Sequence, residues 1–161
     1  GGLFALQTHL GGVDAAGMVL LNTLRIIGPR IAWINDAVVR AMDVGGPQLM
    51  GDIMTPLIWG PDWLAANRSS FLQSDAEYSP MDKNSGAYNL LSNMGAADWN
   101  VQYEEINCPV LVVMGLQDRI FYDAKDVTQL MQRIPNVQRV DIPNAGHMLP
   151  LEVPNQSLIH I

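Results

Sequence analysis

The chain has 161 residues, nearly half of them hydrophobic (48%) and 16% charged, a balance that suits one folded domain with a real core and excludes a disordered chain. Its formal net charge of −7 argues against nucleic acid or an anionic membrane surface as a partner, since both need basic patches. No apolar run reaches the roughly 18 residues of a membrane span.

Gly1-Gly2 open directly onto a helical pattern, Leu3 to Leu10, with no initiator Met, signal-peptide n-region or capping residue before it. That is the look expected of a cut inside a domain. Gly11-Gly12 end the helix, and a turn-rich stretch leads to the apolar run Met18 to Asn22, expected to be a buried strand.

From Arg25 to Glu105 the pattern turns helical. Ile31, Ile34, Val38 and Met42 mark one amphipathic helix, closed by Gly45-Gly46-Pro47. Leu49, Met50, Ile53, Met54 and Leu57 mark a second, and Trp63–Leu72 and Tyr88–Met94 a third and a fourth. Pro56, Pro61 and Pro80, with Gly60 and Gly86, punctuate them. An all-helical stretch set between strands of a parallel sheet reads as a cap. Its aromatics Trp33, Trp59, Trp63, Phe71, Tyr78 and Tyr88 are expected in its core; any that line a pocket would favour an apolar acyl or alkyl substrate.

The lone cysteine, Cys108, precludes an internal disulfide and reads as a small buried hydrophobe beside Pro109. After it come the apolar run Val110–Met114, a helical pattern over Ala124–Ile134 with Val127, Leu130, Met131 and Ile134 on one face, and a further strand over Val137–Ile142. Strand, helix, strand at that spacing is a βαβ unit, so the expected class is α/β. The run Val110–Met114 is continuous rather than alternating, which suits a parallel strand covered on both faces. A last helix is expected to begin at Pro154.

Two strand ends carry chemistry. Val110–Met114 runs into Gly115-Leu116-Gln117-Asp118, and Val137–Ile142 runs into Pro143-Asn144-Ala145-Gly146-His147. Carboxyl ends of parallel strands open onto the crevice where such proteins place functional groups. Alone, Asp118 is readily a turn carboxylate and His147 a surface or core histidine. Together, at neighbouring strand ends, they make a carboxylate able to hold an imidazole in the tautomer that a general base needs.

These segments resemble the α/β-hydrolases. Asn107 to Asp118 is similar to the family's acid segment, cPvLvvxGxxD, and Ile142 to His147 with Leu151-Glu152-Val153-Pro154 to its histidine segment, iPxaGHxxxxExP. Gly1-Gly2, a short helix and then MVLLNT resemble the stretch immediately after the nucleophile elbow, G-x-S-x-G-G. The resemblance implies the last three parallel strands of the α/β-hydrolase fold, with flanking helices and a helical cap insertion. Residues 1–24 and 106–161 would belong to the hydrolase core, and residues 25–105 to the cap. It also implies that Asp118 and His147 are catalytic, that the nucleophile stands two positions before Gly1, and that no cofactor or metal takes part. Glu152 matches a family position and is expected to be structural, near the start of the last helix.

Three functions remain open at this point. A serine nucleophile would make an esterase or lactonase acting on a small, apolar, ester-like substrate. An aspartate there would make a haloalkane dehalogenase or an epoxide hydrolase, the latter using cap tyrosines, for which Tyr78, Tyr88 and Tyr103 are candidates. A relative without a nucleophile would only bind a ligand. The other titratable residues rank lower: Asp123 and Asp126 as first-turn helix carboxylates, Asp98 and Asp141 as surface contacts, and His9 and His160 without a cluster for metal. In this fold Met18–Asn22 would pair on one side with a strand preceding Gly1, so residues 1–161 made alone are expected to expose an apolar edge, to aggregate and to be inactive.

Overall fold

The computed structural model describes residues 1–70, 72, 75 and 77–157. Phe71 and His160, and the expected last helix beyond residue 157, lie outside them.

Three parallel strands form one sheet in the order β1 (Met18–Leu21), β2 (Val110–Gly115), β3 (Val137–Ile142). Met18 aligns with Val110, and Val110 with Val137, so the three carboxyl ends finish side by side. β2 is the middle strand, and its unbroken apolar sequence serves two faces. Val110, Val112 and Met114 enter one core with Leu3 and Leu6 of α1 (Gly2–Leu10) and with Val127 and Leu130 of α5 (Ala124–Met131). Val113 points the other way, into a smaller core with Ile142, Ala145 and Leu149. Cys108 is buried in the larger core, as a small hydrophobe would be. β1 pairs with β2 alone among the described residues, and Val19 on it is exposed.

Between β1 and β2 the described residues form helices and turns only. α2 (Pro29–Ile58) is continuous in its hydrogen bonding but breaks at Gly46, whose φ of 62° and ψ of −153° are non-helical. The two expected helices are thus the two arms of one kinked element. A side chain at Gly46 would run into the Ser79 carbonyl, so this position needs glycine for both torsion and space. α3 (Pro61–Ala66) is shorter than Trp63–Leu72, because the Asn67 amide takes the Trp63 carbonyl and ends the helix in a 3₁₀ turn, Arg68–Ser70. α4 (Gly86–Ser92) starts where the Ser85 hydroxyl caps the Tyr88 amide, and ends where the Asn93 side chain takes the Asn89 carbonyl.

The expectation that the aromatics of this region form its core needs correction. Trp33 is 79% exposed and Tyr78 is 48% exposed, while Trp59 and Trp63 stack on each other with ring centroids 3.7 Å apart. Trp33 sits on an outward face of α2, and Tyr78 lies outside any helix.

Beyond β2, α5 starts at Asp123, whose carboxylate caps the amides of Lys125 and Asp126. It closes at Met131 rather than Ile134, the last turns tightening through Arg133 N–Leu130 O and Ile134 N–Met131 O bonds. After β3 come two short helices, α6 (Leu149–Glu152) and α7 (Pro154–Ser157).

Candidate active site

Asn22, Asp118 and His147 are the first, third and fifth residues beyond the ends of β1, β2 and β3. The loops after β2 and β3 are zipped together by Leu116 N–Ile142 O (3.1 Å) and Gln117 N–Ala145 O (2.9 Å) bonds. A side chain at Gly115 would run into the Gly146 carbonyl, so the loops close up only because that position is bare.

This juxtaposition brings the two predicted residues into contact. His147 Nδ1 donates to Asp118 Oδ2 at 2.6 Å. The other oxygen, Oδ1, accepts from the amides of Ile120 (3.1 Å) and Phe121 (3.0 Å), which orients the carboxylate without competing for the imidazole. The Asp118 side chain is 0% exposed and that of His147 25%, so the carboxylate is sealed behind an imidazole that reaches open space. Because a carboxylate oxygen only accepts, Nδ1 carries the proton, and in the neutral ring the lone pair stands on Nε2, the arrangement that a general base requires.

Three supports hold the histidine loop, none of them evident as a partner in the sequence. Asn22 is 1% exposed. Its Nδ2 donates to the carbonyls of Gly146 (2.9 Å) and His147 (3.0 Å), and its Oδ1 accepts from Gly115 N (2.7 Å). One amide thus ties together the ends of all three strands, from a backbone with φ of 48° that asparagine tolerates better than most residues.

Glu152 is the second support. Its Oε2 accepts from Gly60 N (2.7 Å) and Gly146 N (2.9 Å), and its Oε1 from Met148 N (3.1 Å). It is structural, as expected, but it serves the histidine loop from the end of α6 rather than the start of the last helix.

The third support is the end of α2. Leu57 O accepts from Arg119 N (3.0 Å) and Ile58 O from His147 N (2.6 Å). The last carbonyls of a helix have no partner within it, and here two of them hold the acid loop and the histidine. A side chain at Gly146 would meet Ile58 O, so this glycine makes room for the end of α2 rather than for the imidazole alone.

His147 lines a cavity of about 590 Å³ together with Gly1, Gly2, Arg25, Trp99 and Phe121. The Phe121 ring tilts against the imidazole at 4.9 Å between centroids, and the Arg25 guanidinium lies 3.8 Å from the centre of the same Phe121 ring. Burial lowers the Arg25 pKa to about 10, partly offset by the nearby Asp118 charge. A smaller cavity, about 380 Å³, shares Arg25 and Trp99 and extends to Tyr103 and Arg133.

Tyr78, Tyr88 and Tyr103 are absent from the wall of the larger cavity. The hydroxyls of Tyr78 and Tyr88 donate to Asp52 and Asp43, both at 2.9 Å. The aromatics that do line it are Phe4 of α1 and Trp99 and Phe121, of which the last two fall outside the helical periodicities of the sequence. Among the described residues no three His, Cys, Asp or Glu side chains are grouped to hold a metal ion. His9 instead donates through Nδ1 to the Val13 carbonyl at 3.0 Å.

No protein-family model and no curated protein matches the sequence. Solved structures do match. A thermophilic esterase from Thermogutta terrifontis superposes with a TM-score of 0.71 at 22% identity, over 99% of this chain and 59% of that one. An α/β hydrolase enzyme from a Medee basin deep-sea metagenome library gives 0.72 at 20% identity, over 98% and 58%. An enol-lactonase from Burkholderia xenovorans gives 0.65 at 20% identity, over 99% and 60%. The chain has the α/β-hydrolase fold. It spans about 60% of the length of these structures.

Proposed function

We propose that this chain carries the acid and the base of an α/β-hydrolase that cleaves an ester or lactone through a Ser-Asp-His triad, with the serine two positions before Gly1. Residues 1–24 and 106–161 act as the catalytic core and residues 25–105 as the cap. The observation that carries this reading is the 2.6 Å contact between His147 Nδ1 and a fully covered Asp118, with His147 on a cavity wall. Gly1 and Gly2 line the same cavity, which supports a nucleophile close before them. The order of nucleophile, acid and histidine is that of the fold.

In the first half-reaction the serine Oγ attacks the acyl carbon as its proton passes to His147 Nε2. Asp118 stabilises the resulting imidazolium and keeps its ring in plane. The tetrahedral intermediate collapses as Nε2 returns the proton to the leaving alkoxide, giving an acyl-enzyme. Water, deprotonated by the same nitrogen, releases the acid. Backbone amides of the residue after the serine and of an earlier strand loop would hold the oxyanion.

An epoxide hydrolase would need an acid opposite the base, and Tyr78, Tyr88 and Tyr103, none of which lines the His147 cavity, give that reading no support. The test is turnover of short p-nitrophenyl esters by the whole protein, run beside haloalkanes and epoxides. Asp118→Asn should lower kcat by about 10,000-fold, and His147→Ala by at least as much. Ester turnover that survives His147→Ala would refute the assigned base.

A further inference from the structure

The cavity that holds His147 contains a cationic group, Arg25, that the proposed chemistry does not use. Its Nε donates to Thr23 O and its Nη2 to Asn22 O, both at 3.3 Å, so the chain turn after β1 grips one side of the guanidinium. Its flat faces are occupied too, with the guanidinium carbon 3.8 Å from the Phe121 ring centre and 4.8 Å from that of Trp99. Nη1 makes no hydrogen bond to the described residues. No buried side-chain nitrogen or oxygen among those residues lacks a partner, so Nη1 reaches open space. The space beside Arg25 is the two cavities that it lines.

Toward the His147 cavity the charge is one-sided, while Asp98, on the wall of the smaller cavity, accepts from the Asn100 amide. The chain has 16 acidic residues against 9 Lys and Arg, yet no Asp or Glu lines the His147 cavity. Its remaining polar lining is the amides Asn35, Asn89 and Asn93. Asp118, whose charge acts on Arg25, has both oxygens committed to His147 and to the Ile120 and Phe121 amides. No carboxylate pairs with Arg25 among the described residues. A guanidinium fixed on two sides, poorly solvated and without a carboxylate paired to it among the described residues is prepared for a planar anion.

We infer that Arg25 binds a carboxylate of the substrate, so that the preferred ester or lactone has an apolar body and carries a free carboxylate a few bonds from the acyl carbon. This rests on the hydrolase reading for the reaction, but not for the binding. Phe121 stands between the cation and the imidazole, which sets the carboxylate apart from the carbonyl under attack.

The test uses two p-nitrophenyl esters in the whole protein, the hydrogen glutarate and the valerate, and reads the ratio of their kcat/KM values. The ratio should favour the glutarate, fall about 10- to 100-fold in Arg25→Gln, and be partly kept in Arg25→Lys, which retains charge but not the fork. A ratio unmoved by Arg25→Gln overturns the assignment. A calorimetric titration of His147→Ala protein with valerate and valeramide gives a readout without turnover. Valerate should bind more tightly, and adding Arg25→Gln should erase the difference. If this preference holds while no ester is cleaved, the hydrolase reading fails and the Arg25 site stands. If esters are cleaved but valerate and valeramide bind alike, the Arg25 site alone fails.

Discussion

Asn22→Ala is expected to be among the most damaging single changes outside the acid–histidine pair. It removes three hydrogen bonds, to Gly115 N and to the carbonyls of Gly146 and His147, from a residue that is 1% exposed. At about 1 kcal/mol each, the bonds alone are worth about 3 kcal/mol. Alanine at a φ of 48° adds about 1 kcal/mol of backbone strain. The total of about 4 kcal/mol is a large share of the 5–15 kcal/mol by which folded domains are ordinarily stable. Asn22→Gly separates the two terms, since glycine accepts the torsion but makes none of the bonds, and should lose about 3 kcal/mol. Asn22→Asp keeps the acceptor for Gly115 N but sets an oxygen against two carbonyls, so it should fare no better than alanine. Urea unfolding followed by tryptophan fluorescence, in protein that includes whatever strand adjoins β1, reads each loss at constant m. An Asn22→Ala loss below about 1 kcal/mol, or a glycine variant weaker than the alanine one, would refute the accounting.

Glu152→Gln should lower kcat more than it alters KM, because it weakens the acceptor for Gly60, Gly146 and Met148 amides without touching the cavity; steady-state kinetics with equal kcat would count against it. Asp43 has its pKa lowered by hydrogen bonds from Tyr88 and then Lys83, so the tie from α2 to α4 is complete above the usual carboxylate range and is lost as pH falls through the lower folded value. Amide exchange in α4 should therefore speed up in acid, and Asp43→Asn should remove that pH dependence. Residues 1–161 made alone should self-associate through the open edge of β1, where Val19 is exposed, and should not hydrolyse esters. A monomer by light scattering with a cooperative unfolding transition would contradict this.

The strands and the acid–histidine pair were legible because their signals are local. Val110–Met114 and Val137–Ile142 announce themselves by composition, and Asp118 and His147 stand a few residues past them. The supports were not legible for the opposite reason. Asn22 meets its partners across 93 to 125 residues of sequence, and an asparagine after an apolar run is an ordinary strand ending until those partners are known. Arg25, Trp99 and Phe121 likewise come from three separate stretches and converge only through stacking. The helical region was read well in type and poorly in extent. Side-chain amides such as Asn67 and Asn93 stop helices that the apolar spacing would have prolonged. Exposed Ile53, on the second of the expected apolar faces, shows that helical spacing identifies a face without saying whether anything packs on it.

The helical region between β1 and β2 takes part in building the candidate site. Leu57 O and Ile58 O, adjacent on the last turn of α2, hold the acid loop and the histidine backbone separately. Gly60 N reaches the histidine loop a third way, through Glu152. Helix-end carbonyls buried without partners would cost roughly 1–3 kcal/mol each, so α2 gains as much from these loops as the loops gain from it. The direction of the imidazole therefore depends on where α2 ends. If His147 is the base as proposed, substitutions near Thr55–Trp59 that shift this end should change the rate of the chemical step even with every cavity-lining side chain left in place, because they move the imidazole and not the substrate.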